Sequence, residues 1–159
     1  MDQLVSRNIA HPPFLRSVFS TAVLEFGSAR TSGRKNPDAA IETLEAITPL
    51  GVWDRIKGGQ LVLPTQGLII ETRPGQTYLI ASATTPYYFT AVQPGEWQFL
   101  FRQYCSDGIF RWLSKGGLTD AQFSMESTKA QRDAWVEQRR VFGRESIKFF
   151  SKRRDIFTL

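Results

Sequence analysis

The sequence predicts an α+β fold: a small antiparallel β-sheet in the middle of the chain, flanked by N-terminal helices and followed by a helical C-terminal third with a basic aromatic arm. Three observations carry that expectation. Apolar residues recur at helical spacing before residue 50, Gly and Pro cut residues 58–95 into runs too short for helices, and a polar stretch after residue 118 opens on a capping pattern. With 159 residues, 42% of them apolar, the chain suits one ordinary domain that buries about two-thirds of its unfolded surface. The expected division is a single compact α+β domain over residues 1–138 and a basic amphipathic arm over 139–159.

Residues 13–26 place Leu15, Val18, Phe19, Ala22, Val23 and Phe26 at three-and-four spacing, with prolines at the start and Gly27 at the stop, which predicts a helix. The β-branched Val18, Thr21 and Val23 keep a strand as the alternative. A polar stretch with Arg30, Arg34 and Lys35 then reads as an exposed loop. It falls short of a P-loop, because five residues separate Gly27 from Gly33 and no Ser or Thr follows Lys35. Asn36 as cap, Pro37 at the first helical position, and Ile41, Leu44 and Ile47 on one face predict a second helix to about Thr48.

In the middle, residues 68–73 and 76–82 form the expected hairpin around Pro74-Gly75, the pair that suits a type II turn. Residues 60–63 and 87–92 are its expected neighbours. Gln60-Leu61-Val62-Leu63-Pro64 resembles the short Gln-Leu-x-Leu peptide by which bacterial replication proteins dock on the sliding clamp, although Val62 and Pro64 depart from that pattern. The resemblance implies a docking role for Gln60 and Leu61; the residues themselves read as an edge strand. Residues 96–113 fit a helix through Trp97, Leu100, Phe101 and Tyr104, or a hairpin through Trp97, Phe99 and Phe101, and the helix is preferred. Gly116-Gly117 ends it. Thr119 with Gln122 then reads as a capping box opening a long helix through Gln138, which Gly143 bends or breaks.

Net charge is confined to the end of the chain. Residues 139–159 hold seven of the twenty basic residues and two of the fifteen acidic ones, so residues 1–138 are balanced at thirteen of each. The cations Arg139, Arg140, Arg144, Lys148, Lys152, Arg153 and Arg154 are candidates for polyanion binding. Trp135, Phe142, Phe149 and Ile156 recur every seven residues and, with Phe150 and Phe157, make a candidate partner-binding stripe.

Catalysis has little to work with. His11 and Cys105 are each the single residue of their type, which leaves no metal set, no catalytic group and no cofactor motif. Cys105 reads as a small buried hydrophobe. Asp54 with Glu71 or Glu96 could meet across the sheet as an acid–base pair, though nothing in their spacing requires it. Neither a secretory signal nor a transmembrane segment is expected, so the reading is a soluble protein of the cytoplasm or of an intracellularly assembled particle.

The leading expectation is therefore a non-enzymatic structural or interaction subunit of a larger assembly, such as a virion component, docking through its arm on a protein with an acidic surface. The alternative is a nucleic-acid-binding or replication-associated accessory protein that uses the basic tail and the loop at Arg30, Arg34 and Lys35. A small enzyme without a recognisable motif comes third.

Overall fold

The computed structural model describes residues 14, 17–27 and 33–149. The chain divides into two compact units, Met1–Ser106 and Asp107–Leu159. The described residues of the first form the strands β1 (Thr21–Phe26), β2 (Glu45–Val52), β3 (Leu61–Leu63), β4 (Leu68–Ile70), β5 (Tyr78–Ile80), β6 (Tyr88–Phe89) and β7 (Trp97–Tyr104). They form two antiparallel sheets, one in the order β1-β7-β2-β5 and the other β4-β3-β6. An antiparallel bridge from Arg34 to Tyr87 extends the smaller sheet past β6. The chain thus passes back and forth between two sheets, which is the path of a jelly roll. Ile47, Ile80 and Leu100 from the larger sheet meet Leu61 and Phe89 from the smaller, and these side chains with Tyr87 form the core.

This architecture replaces the predicted N-terminal helices and single small sheet with a strand-rich unit, seven strands in two sheets among the described residues. Residues 21–26 are strand β1, not a helix. Alternation is hidden there because the face that bears Leu24 and Phe26 is apolar although exposed. The second predicted helix is also absent. The Asn36 side chain accepts from the Asp38 N–H and donates to Glu45, so it closes a local turn, and the apolar run after it continues into β2. Residues 97–104 are one strand, with Leu100 and Tyr104 buried on one face and Trp97 and Phe99 on the other. The two arms of the predicted Pro74-Gly75 hairpin lie in different sheets.

Local chemistry explains two unusual positions in β2. Pro49 lies beyond the last pairing with β5, and its carbonyl accepts from the Gly75 N–H at 2.8 Å, so its missing N–H faces a side where no strand requires it. Gly51 has φ 132°, and a Cβ there would stand 2.3 Å from the Trp97 carbonyl. Only glycine lets the β2 and β7 backbones approach so closely.

The second unit is helical: α1 (Asp107–Ser114), α2 (Asp120–Glu126), α3 (Lys129–Glu145) and a 3-10 turn over Ser146–Phe149. Gly116 and Gly117, both at positive φ, terminate α1 as expected. The Thr119/Gln122 capping box is present, but a second box at Thr128/Gln131 restarts the chain, so the one long helix predicted here is two. Gly143 lies inside α3 rather than breaking it. Lys115 is buried, with its ammonium 4.3 Å from the centre of the Trp135 ring and 5.5 Å from that of Phe123, and it bonds Asp120. That contact holds the Asp120 carboxyl below the usual carboxylate range. Thr128→Ala removes one cap and is expected to cost about 1 kcal/mol, read as an earlier loss of helical circular dichroism on heating. No helix among the described residues is long and apolar enough to cross a membrane.

Candidate functional site

The inward face of the larger sheet carries charge where apolar side chains are the rule. Arg102 on β7 stands in register with Val23 of β1 and Ile47 of β2, so its side chain points between the sheets. Its Nε donates to Glu45 Oε1 at 2.6 Å and its Nη1 to Glu25 Oε2 at 3.0 Å. The second Glu45 oxygen accepts from Asn36 Nδ2 at 3.1 Å, which satisfies a fully buried carboxylate on both sides. The guanidinium carbon lies 5.9 Å from the centre of the Tyr87 ring. Burial alone would lower the Arg102 pKa, but the Glu45 hydrogen bond and the neighbouring Tyr87, Glu45 and Glu25 oxygens hold it above its ordinary value. Arg102 is a fixed cation at any working pH.

This network floors a recess lined by Glu25, Arg34, Lys35, Tyr87, Tyr88 and Arg102, closed behind by Phe89 and Leu100. Its cavity is about 60 Å³. Pockets for drug-sized ligands run to several hundred Å³, so this one suits a single small group such as a phosphate or carboxylate. Backbone bonds between Arg34 and Tyr87, 3.2 and 3.3 Å long, fix the basic loop against the aromatic strand. Arg34 and Lys35 are exposed, and neither has an ion-pair partner among the described residues. Three cations therefore converge at one mouth against Glu25, with Glu45 beneath.

The residues singled out in the sequence fare differently. Trp135 donates from Nε1 to Ser114 Oγ at 2.9 Å and packs with Phe123 and Lys115, so it is occupied within its own helical unit. Phe142 is part-exposed on α3. Arg139 pairs with Asp107 at 3.1 Å, Arg140 with Glu137 at 2.8 Å and Lys148 with Glu145 at 2.5 Å, while Arg144 is exposed. The Phe149 side chain, Phe150, Lys152, Arg153, Arg154, Ile156 and Phe157 lie outside the described residues, as does His11. The Leu61–Leu63 segment that resembles a clamp-docking peptide is β3, the central strand of its sheet, with Leu61 and Val62 buried. It is unavailable as a peptide and is not an edge strand.

No acid–base pair forms around Asp54. Glu96 accepts from the backbone N–H groups of Asp54 and Gln93, and Glu71 lies 3.6 Å from Arg55. Cys105 Sγ donates to the Val18 carbonyl at 3.4 Å. Among the described residues no group of His, Cys, Asp and Glu is placed to hold a metal ion. Sequence reasoning noted Arg34 and Lys35 but missed Glu25, Glu45 and Arg102. Their signal was faint: single charges inside segments otherwise rich in strand formers.

No protein-family model matches the chain, and no curated protein is detectably similar to it. Among solved structures, NgTET1 in complex with 5mC DNA is similar, with a TM-score of 0.54 and 12% identity over 67% of this chain. The chain spans about two-fifths of that neighbour, which the alignment covers to 41%. At that identity the likeness concerns the fold alone.

Proposed function

We propose that the strand unit is a non-enzymatic nucleic-acid-binding module, acting inside the cell as an accessory part of a larger assembly. The observation that carries this reading is the convergence of Arg34, Lys35 and Arg102 with Tyr87 and Tyr88 at the mouth between the two sheets. Cations attract backbone phosphate, and a tyrosine beside them gives a base a ring to stack on. The small cavity fits one phosphate group and leaves the chain of the nucleic acid outside. A structural neighbour that holds DNA agrees with the reading without requiring it.

Fluorescence anisotropy with a labelled single-stranded oligonucleotide tests it. Arg34→Gln combined with Lys35→Gln is expected to weaken binding roughly tenfold near 0.1 M salt and to flatten the log–log salt slope by about 1.4, two single-strand phosphate contacts' worth. A second variant, with Arg139, Arg140, Arg144, Lys152, Arg153 and Arg154 changed to Gln, separates the mouth from the tail. Binding lost only in the tail variant overturns the site, and salt-insensitive binding in both overturns the reading.

The second reading is a subunit that docks on protein neighbours, including a partner with an acidic surface met by residues 139–159. Its support is the exposed apolar face of the larger sheet and the exposed Arg144. Truncation after Gln138 checks it, because a docking arm leaves a folded monomer that no longer assembles.

A further inference from the structure

The recess between the sheets is lined by a carboxylate as well as by cations, and the carboxylate restricts which phosphate can enter. Glu25 on β1 shares the lining with Arg34, Lys35, Tyr87, Tyr88 and Arg102. Its Oε2 accepts from Arg102 Nη1 at 3.0 Å and its side chain is 19% exposed, so it is held in place and still meets solvent. An ionised carboxylate only accepts hydrogen bonds. The oxygens of a phosphodiester inside a strand also only accept, so one brought beside Glu25 meets like charge with no proton between them. A terminal phosphate differs. Its second ionisation falls near pH ~6, and the singly protonated form has a P–OH that donates to a carboxylate while its other oxygens accept from cations.

Shape and charge agree with this chemistry. Phe89 and Leu100 close the recess behind, so a strand that enters by the mouth has no second way out. An internal phosphate, bonded to sugar on both sides, turns only two oxygens inward from the rim. A terminal phosphate, bonded on one side, presents three, and Arg102 at the floor, its side chain 16% exposed, is open to them. The cavity of about 60 Å³ equals roughly four to six water positions at about 10–15 Å³ each, the bulk of one phosphate group. Arg34, Lys35 and Arg102 against Glu25 and Glu45 leave one positive charge, which a monoanion balances. We infer that the recess receives the terminal phosphate of a nucleic-acid strand in its singly protonated form, with Glu25 accepting from the P–OH and Arg34, Lys35 and Arg102 holding the remaining oxygens. The inference rests on the nucleic-acid reading of this site and narrows it from any phosphate to a strand end.

Fluorescence anisotropy of the full chain at pH ~6 tests it with one single-stranded sequence labelled at its far end. The near end carries a free phosphate, the same phosphate capped as a methyl ester, or a bare hydroxyl, first at the 5′ and then at the 3′ end. At one of the two ends the free phosphate is expected to bind at least ~10-fold tighter than its methyl ester, the worth of one charge-assisted hydrogen bond. Glu25→Gln, whose amide can donate to a diester oxygen, is expected to strengthen binding of the capped strand and narrow that ratio to about threefold or less. Removing Glu25 as a mere repulsive charge would instead widen the ratio, because the more highly charged free phosphate gains most. The comparison of free and capped strands on the unaltered chain decides the matter if the variant fails to fold. Equal binding of the two at both ends, or a ratio that widens in a folded Glu25→Gln, overturns the inference. If Arg34→Gln with Lys35→Gln still weakens both strands, the nucleic-acid reading outlives it. Thymidine monophosphate competing as well as the phosphorylated strand also overturns it, assigning the recess to small phosphomonoesters. Failure of every strand to bind overturns the inference and the reading together.

Discussion

Glu45→Ala is expected to destabilise the strand unit by about 3–5 kcal/mol, the usual cost of removing one partner from a buried ion pair. The cost comes from what stays behind. Arg102 keeps Glu25 but loses its shortest bond, and Asn36 Nδ2 loses its acceptor inside the core. A urea midpoint lowered by about 1.5–2.5 M would register this, at a slope of about 2 kcal/mol per M, the middle of the range for small domains. Glu25→Ala is expected to cost less, because the Glu25 side chain is 19% exposed and water can replace it. Replacing Glu45→Leu together with Arg102→Met should recover part of the loss, since it removes the buried guanidinium left by Glu45→Ala, while Glu25 loses its Arg102 partner and Asn36 Nδ2 stays without its acceptor. If Glu45→Ala leaves the midpoint where it was, the carboxylate is not buried against Arg102 as described.

Phe89→Ala is the second large effect, about 3–5 kcal/mol from lost burial and an incompletely collapsed cavity. Phe89 is among the largest fully buried side chains and meets Tyr87 edge to face at 6.4 Å. It lies among Ile47, Leu61 and Leu100, where both sheets contribute. Ile69→Ala is the matched control: Ile69 is 72% exposed on edge strand β4, so its truncation should stay within about 0.5 kcal/mol. Similar midpoints for the two variants would contradict a core placed between the sheets. The Phe89 variant should also weaken oligonucleotide binding, because β6 is the strand that presents Tyr88 to the recess.

The sequence announced what local chemistry controls and concealed what distant pairing controls. The Thr119/Gln122 capping box, the glycines after α1 and strand β3 were legible because each is decided within a few residues. Strand β1 was legible only as the alternative to a helix, since its partner β7 lies more than seventy residues away and its outer face is apolar, which removes the alternation that marks a strand. Pro37 and Asn36 gave a convincing helix start. In the fold, the Asn36 amide is engaged instead by Glu45, a contact no sequence window reveals. The recess was half visible for the same reason: Arg34 and Lys35 stand out in a polar loop, whereas Arg102 and its two carboxylates are gathered from three strands only when the larger sheet forms. The tail drew attention through its charge, yet Arg139, Arg140 and Lys148 are each matched by an acidic neighbour within their own unit.

Photo-crosslinking of the full chain to a single-stranded oligonucleotide containing 4-thiothymidine, followed by peptide mass spectrometry, tests the nucleic-acid site most directly. Adducts are expected on the peptides that carry Lys35 and Tyr88, diminishing as salt rises. Adducts confined to residues 139–159, with none on those two peptides at saturating oligonucleotide, would contradict a binding site at the mouth between the sheets.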